Sequence, residues 1–255
     1  MEHQTDINKA VRQHAEMAEY FSGGITVKKF TAEHAETTTK EIKLNPVNSE
    51  VSALRKNASL ETIKEIDGIA EESRRCRKCD LGELRTNAVP GEGSPSARIM
   101  FVGEAPGADE DAQGRPFVGR AGQLLDKIIA ACGLKRQDVW IGNILKCRPP
   151  DNRDPRPEEI VACLPFLQRQ IELINPEVIV ALGAHAAKTL LDTPKSIGQL
   201  RGLFHDYVPG IGHRPIKLMP TFHPAYLLRN YSDENRRKVW EDMKKVLTEI
   251  GLPIP

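Results

Sequence analysis

The sequence predicts an α/β domain: a three-layer sandwich with a central, mostly parallel four-stranded sheet flanked by helices, plus a polar N-terminal extension. Three observations carry this. Four apolar runs, ARIMFV (97–102), DVWIGNIL (138–145), PEVIVALG (176–183) and IKLMPTF (216–222), are continuous rather than alternating. Strands of that kind are buried on both faces, as in parallel sheets covered by helices. Helical patterns at 120–132, 157–174, 184–191 and roughly 233–249 separate or follow the runs, the β/α alternation of layered folds. Finally, 255 residues suffice for one such domain and an appendage, without room for a second full domain.

Residues 1–58 are polar. MEHQTDINKAVRQHAEMAEYFSGG reads as one helix, and the stretch after it lacks sustained periodicity. This segment is expected to be an extension and linker, with the folded domain spanning 59–255. There SLETIKEIDGIAEESRRC sets Leu60, Ile63, Ile66 and Ile69 three residues apart behind a capping serine, an amphipathic helix running into Cys76. Lys and Arg (36) nearly balance Asp and Glu (35), so net charge announces no nucleic-acid or membrane partner and any basic surface must be local. With no apolar leader and no run of membrane-spanning length, the expectation is a cytoplasmic protein without a membrane partner.

In open parallel sheets the ligand sits beyond the carboxyl ends of the strands. That rule selects Gly103-Glu104, Asn143, Gly183 to His185, and His223. The first site opens the glycine-rich stretch GEAPGADEDAQGRPFVGRAG (103–122). A dinucleotide fingerprint fails because Gly103 is followed by Glu-Ala-Pro-Gly, and a phosphate loop fails because Arg120 and Ala121 stand where Lys and Ser/Thr are needed. Acids at Glu104, Asp109, Glu110 and Asp111 disfavour a bare anion nest. The loop does offer close backbone approach and one aromatic, Phe117, suited to stacking on a flat ring or equally to plugging the core. The amide of Asn143, at a buried strand end, must find partners. It either caps a neighbouring loop or complements an N–H beside a carbonyl, the edge that uracil presents and cytosine reverses. His223, held by Pro224, can donate to charge developing on a leaving group, or can be an ordinary loop histidine.

Cys76 and Cys79 form CRKC, and Cys147 and Cys163 bracket the loop RPPDNRDPRPEEIVA. Four thiolates suit a structural zinc or an iron-sulfur cluster, and spacing alone does not choose. Cys132, inside LLDKIIAACG, reads as core.

These motifs resemble the family 4, iron-sulfur uracil-DNA glycosylases of bacteria and archaea. The likeness lies in GEAPG (103–107), GRPFVGRAGQLL (114–125), NILKCRPPDNRDPRPEE (143–159), ALGAHAAKTLL (181–191), HPAYLL (223–228) and the four cysteines, over roughly residues 73–247. The resemblance implies excision of uracil from single- or double-stranded DNA, and a 4Fe-4S cluster on Cys76, Cys79, Cys147 and Cys163. It implies that Phe117 stacks on the base, Asn143 reads its polar edge and His223 assists departure of the uracil anion. Gly103, Glu104 and Ala105 then line the pocket and Glu110 crowds the C5 edge of the base. Family 1 enzymes carry an aspartate at the place of Ala105; with alanine here, Glu104 either takes the water-positioning role or only orients the loop. Arg148, Arg153, Arg156 and Arg229 are expected on phosphates, and Leu227 and Leu228 either wedge into the vacated base stack or begin core packing. A monomer is expected. The competing reading is a protein that captures uracil-containing DNA without turnover.

Overall fold

The computed structural model describes residues 58–209 and 213–255; the expected N-terminal helix and linker lie outside them. Helix α1 (Leu60–Arg75) starts where Ser59 Oγ accepts the Thr62 amide at 3.0 Å. It buries Ile66 and Ile69, whereas Leu60 is 79% exposed, so only the second half of the predicted stripe packs. A short α2 (Leu81–Leu84) follows the CRKC turn. Then come β1 (Glu92–Gly93), β2 (Ile99–Gly103), α3 (Ala108–Gln113), α4 (Arg120–Ala131), β3 (Trp140–Asn143), α5 (Pro157–Ile174), β4 (Val178–Leu182) and α6 (Ala184–Leu191). The chain closes with α7 (Ile197–Leu200), β5 (His205–Tyr207), β6 (Ile216–Thr221), α8 (Pro224–Arg229) and α9 (Asp233–Glu249).

The sheet order is β1-β3-β2-β4-β6-β5. Its four central strands are parallel and are the four that the apolar runs predict. The count of four needs correction to six, because β1 and β5 pair antiparallel at the two edges. At two and three residues they are too short to leave an apolar run. Successive residues of β2 feed opposite cores: Ile99 and Phe101 pack with α4 and α9, Met100 and Val102 with α1 and α5. That alternation makes the three layers, each buried large aliphatic side chain contributing roughly 1.5–3 kcal/mol. The register sets Gly103 beside Asn143, so the carboxyl ends of β2 and β3 finish together.

Candidate active site and cysteine cavity

The four strand ends converge on a cavity of about 550 Å³ whose wall includes Glu104, Phe117, Asn143, His185, His223 and Arg229. Beneath the cavity wall, at the end of β2, Gly103 separates Asn143 from Phe117. A Cβ on Gly103 would stand 2.4 Å from Asn143 Oδ1 and 2.6 Å from Phe117 Cζ, so the arrangement requires glycine. Asn143 is 1% exposed, and its Oδ1 is buried without a hydrogen-bond partner. Such an acceptor is expensive to leave unpaired and is a ready contact for a ligand N–H.

Phe117 sits at φ 51, in the left-handed region, which costs an aromatic residue on the order of 1–3 kcal/mol. Its surroundings hold it there. Arg136 donates to the carbonyls of Pro116 and of Phe117, the latter at 3.2 Å. Glu110 Oε1 accepts the amides of Val118 (2.8 Å) and Gly119 (2.9 Å), while Oε2 accepts Gly107 N at 3.1 Å. Gly122 lets α4 come close, since a Cβ there would meet the Phe117 carbonyl oxygen at 1.9 Å. Glu110 borders the cavity; its Oε1 serves the loop that carries Phe117 while its Oε2 caps the start of α3 at Gly107. Sequence reading overlooked Arg136, whose place in a polar turn carried no signal, and Gly122, whose signal was its place inside GRPFVGRAG.

His223 caps α8: its Nδ1 accepts the Ala225 amide at 3.1 Å. The proton of the neutral ring is therefore on Nε2. Burial, reinforced by Arg229 and opposed by Glu110, pushes this imidazole down to about 4, so the neutral donor is the form present at physiological pH. Its ring centroid lies 5.6 Å from that of Phe117. Glu104 is drawn the other way: burial raises its carboxyl, His185 opposes and Asp154 reinforces. His185 Nε2 lies 3.9 Å from Glu104 Oε2 and 3.5 Å from Asp154 Oδ1. Ala105 borders the same cavity.

The residues expected on DNA divide. Arg229 and Arg153 border the cavity. Arg153 is also clamped by Glu159, at 2.9 and 2.5 Å. Arg148 donates to Asn152 Oδ1 at 2.9 Å, and Arg156 is exposed at the start of α5, where its amide donates to Glu159. Leu227 is corrected: at 1% exposure it packs with Val239 and Met243 and is core, whereas Leu228 is 36% exposed. Adjacent residues of a helix point about 100° apart, and here the turn sets Leu227 inward and Leu228 outward.

All four predicted cysteine ligands border one small cavity, together with Arg85, Lys146 and Phe166. Arg85 donates to Cys147 Sγ at 3.0 Å, and the Lys146 amide donates to Cys163 Sγ at 3.1 Å. Burial pushes the Cys163 thiol up to about 12 and raises Cys147 as well. Among the described residues, the only three or more His, Cys, Asp or Glu ligand atoms all within 4.8 Å of one another belong to Glu104, Asp154 and His185. No three of the four cysteine sulfurs therefore lie within 4.8 Å of one another, whereas one tetrahedral zinc holds its sulfurs about 3.8 Å apart. Four spaced cysteines, of which Cys147 and Cys163 are buried and hydrogen-bonded while Cys76 and Cys79 are half-buried, fit a larger group. Cys132 lies apart, 3% exposed in the opposite core. Among the described residues no helix is long and apolar enough to cross a membrane.

Residues 90–244 match the uracil DNA glycosylase superfamily. A type-4 uracil-DNA glycosylase of Thermotoga maritima is 52% identical over 183 residues, covering 71% of this chain and 93% of that protein. The type-4 enzyme of Saccharolobus solfataricus is 49% identical over 71% of this chain and 84% of its own length. That of Archaeoglobus fulgidus is 46% identical over 72% and 92%. Together with the parallel sheet and the cavity at its carboxyl edge, these matches show that the chain belongs to the uracil-DNA glycosylase superfamily.

Proposed function

We propose that the chain is a DNA-repair glycosylase that hydrolyses the N-glycosidic bond of uracil in DNA and leaves an abasic site, with the cavity at Gly103 as its base pocket. The observation that carries this reading is the orphaned Asn143 Oδ1, buried beside the Phe117 ring at the cavity wall with no hydrogen-bond partner of its own, an acceptor that a ligand N–H would satisfy. The target base must leave the helix to reach it, which costs a few kcal/mol that stacking and hydrogen bonding offset. Phe117 stacks on the base, Asn143 Oδ1 accepts N3–H and its amide nitrogen donates to O4. As the N1–C1′ bond breaks, negative charge grows on uracil and the His223 Nε2–H donates to O2. One preorganised donor of that kind is worth about 3–4 kcal/mol. Glu104, at the rim, orients the water that attacks C1′. Glu110 restricts the C5 edge through the loop it fixes, and Arg148, Arg153, Arg156 and Arg229 with Leu228 meet the DNA.

Cys76, Cys79, Cys147 and Cys163 would hold a 4Fe-4S cluster, which bound there supplies a four-point cross-link and local negative charge. Hydrolysis of a glycosidic bond transfers no electron, so the reaction asks a structural role of it. The same reading has the enzyme act as a monomer on chromosomal DNA in the cytoplasm. Incubation with uracil-containing and matched thymine-containing oligonucleotides, then alkaline cleavage at abasic sites, tests it. Multiple-turnover release of uracil from the first alone is expected. Capture without release would turn the protein into a binder.

A further inference from the structure

The segment Arg85 to Val89 runs between the cysteine cavity and α3 and is bonded at both ends. On the cavity side, Arg85 donates to Cys147 Sγ at 3.0 Å and to the carbonyls that end α1: Ser73 at 2.9 Å, Cys76 at 3.2 Å, and Arg74. The Val89 amide donates to the Lys146 carbonyl at 2.8 Å, one residue before Cys147. On the α3 side, the buried Asp111 carboxylate accepts the Thr86 amide through both oxygens, at 2.9 and 3.1 Å, and the Asn87 amide at 3.3 Å. The Asn87 side chain returns two bonds, to the Asp111 and Ala112 carbonyls at 2.8 and 3.1 Å, capping the last turn of α3. The next residue back along α3 is Glu110, whose carboxylate holds Val118 and Gly119. A short rigid helix thus has one side chain on the segment and its neighbour on the Phe117 loop.

We propose that Asp111 is a positioning residue for uracil capture, and that the strap Arg85–Val89 it grips ties the stacking platform of Phe117 to the cluster ligand Cys147. The proposal rests on the pocket and cluster assignments above and adds a connection between them. Loss of the Asp111 carboxylate leaves two amide donors, those of Thr86 and Asn87, without an acceptor and frees α3 to shift, which carries Glu110 and the Phe117 loop with it. Arg85 secures the far end: a side chain that hydrogen-bonds a metal ligand typically accounts for 10- to 100-fold in affinity for the metal.

The test uses full-length holoprotein and a duplex with 2-aminopurine beside uracil, whose fluorescence reports the flipped base, alongside single-turnover excision. Asp111→Ala is expected to keep wild-type iron content and iron release to a chelator while base capture weakens about tenfold or more. Arg85→Gln is expected to release iron faster and to weaken capture even while iron is fully retained. The double variant is expected to capture no worse than the weaker single one, because both cut the same strap. Asp111→Asn, which preserves shape and one acceptor oxygen, should fall between wild type and Asp111→Ala, and it decides the matter if the alanine variant does not fold. Wild-type capture by Asp111→Asn and Asp111→Ala, or additive losses in the double variant, would overturn the strap. So would iron loss that parallels capture loss in Asp111→Asn. Absence of uracil release by the wild type, or wild-type capture by Phe117→Ala, would instead sink the pocket assignment.

Discussion

The ammonium of Lys146 donates a 3.0 Å hydrogen bond to the main-chain carbonyl of Asn143, and a second of 2.8 Å to Gln170 Oε1. Lys146 is 1% exposed, and burial pushes its pKa down to about 8, with Cys163 and Cys147 opposing. Gln170 in turn donates to the Pro90 carbonyl at 2.9 Å. A buried polar chain therefore supports the strand end that carries Asn143. Lys146→Met removes the donor and leaves two buried acceptors unpaired, at about 1–3 kcal/mol each. A lower melting temperature and weaker uracil capture are the expected outcome, measured by thermal denaturation and single-turnover excision. An unchanged excision rate would confine Lys146 to the core.

His223→Ala is expected to lower the single-turnover rate by roughly 100-fold or more, with far less effect on binding of uracil-containing DNA. The pH profile carries a sign. With the imidazole pushed down to about 4, the neutral donor persists from pH 5 upward, so His223 imposes no fall in rate as pH rises through 6 to 7. In its proposed role of orienting water Glu104 must be ionised, and its carboxyl is raised by burial. The acid limb therefore begins above the ordinary carboxylate range and moves in Glu104→Gln. A rate that declines with rising pH through neutrality would show that a charged histidine is needed.

Asn143→Asp is expected to lose most uracil excision and to gain weak cytosine excision that improves toward acidic pH. A protonated carboxyl can donate to cytosine N3 while its other oxygen accepts from N4, and burial favours that protonated form. Asn143→Ala should lose uracil excision without the cytosine gain. Near-wild-type uracil release by the aspartate variant would show that Asn143 does not read the base.

Anaerobically purified protein should be brown, with iron and sulfide each at about four per chain. Stoichiometric zinc without iron would refute the cluster. Cys147→Ala should lose metal and destabilise the loop to Cys163 together, since metal-binding free energy is also folding free energy.

The central strands were legible because burial on both faces leaves continuous apolar runs, and their carboxyl ends then located Gly103, Asn143 and His223 before any distance was known. The edge strands left no such trace. Nor did the supports: Arg136, Lys146 and Asp111 look in sequence like ordinary charged residues, and only tertiary contacts show which carbonyls and amides they serve. Leu227 and Leu228 illustrate the same limit, because adjacent leucines read alike until the helix between strand and solvent assigns one to each side.

Gly103 sets a bound on how this protein can change. Every one-nucleotide change of a glycine codon that puts another amino acid in its place adds at least a Cβ, and a Cβ here falls 2.4 Å from Asn143 Oδ1. The floor of the slot is thus closed to stepwise variation. Selection for activity on other damaged bases is expected to leave position 103 untouched and to collect its substitutions at Asn143 and in the Glu110 to Gly119 loop, where the walls rather than the floor can be remade.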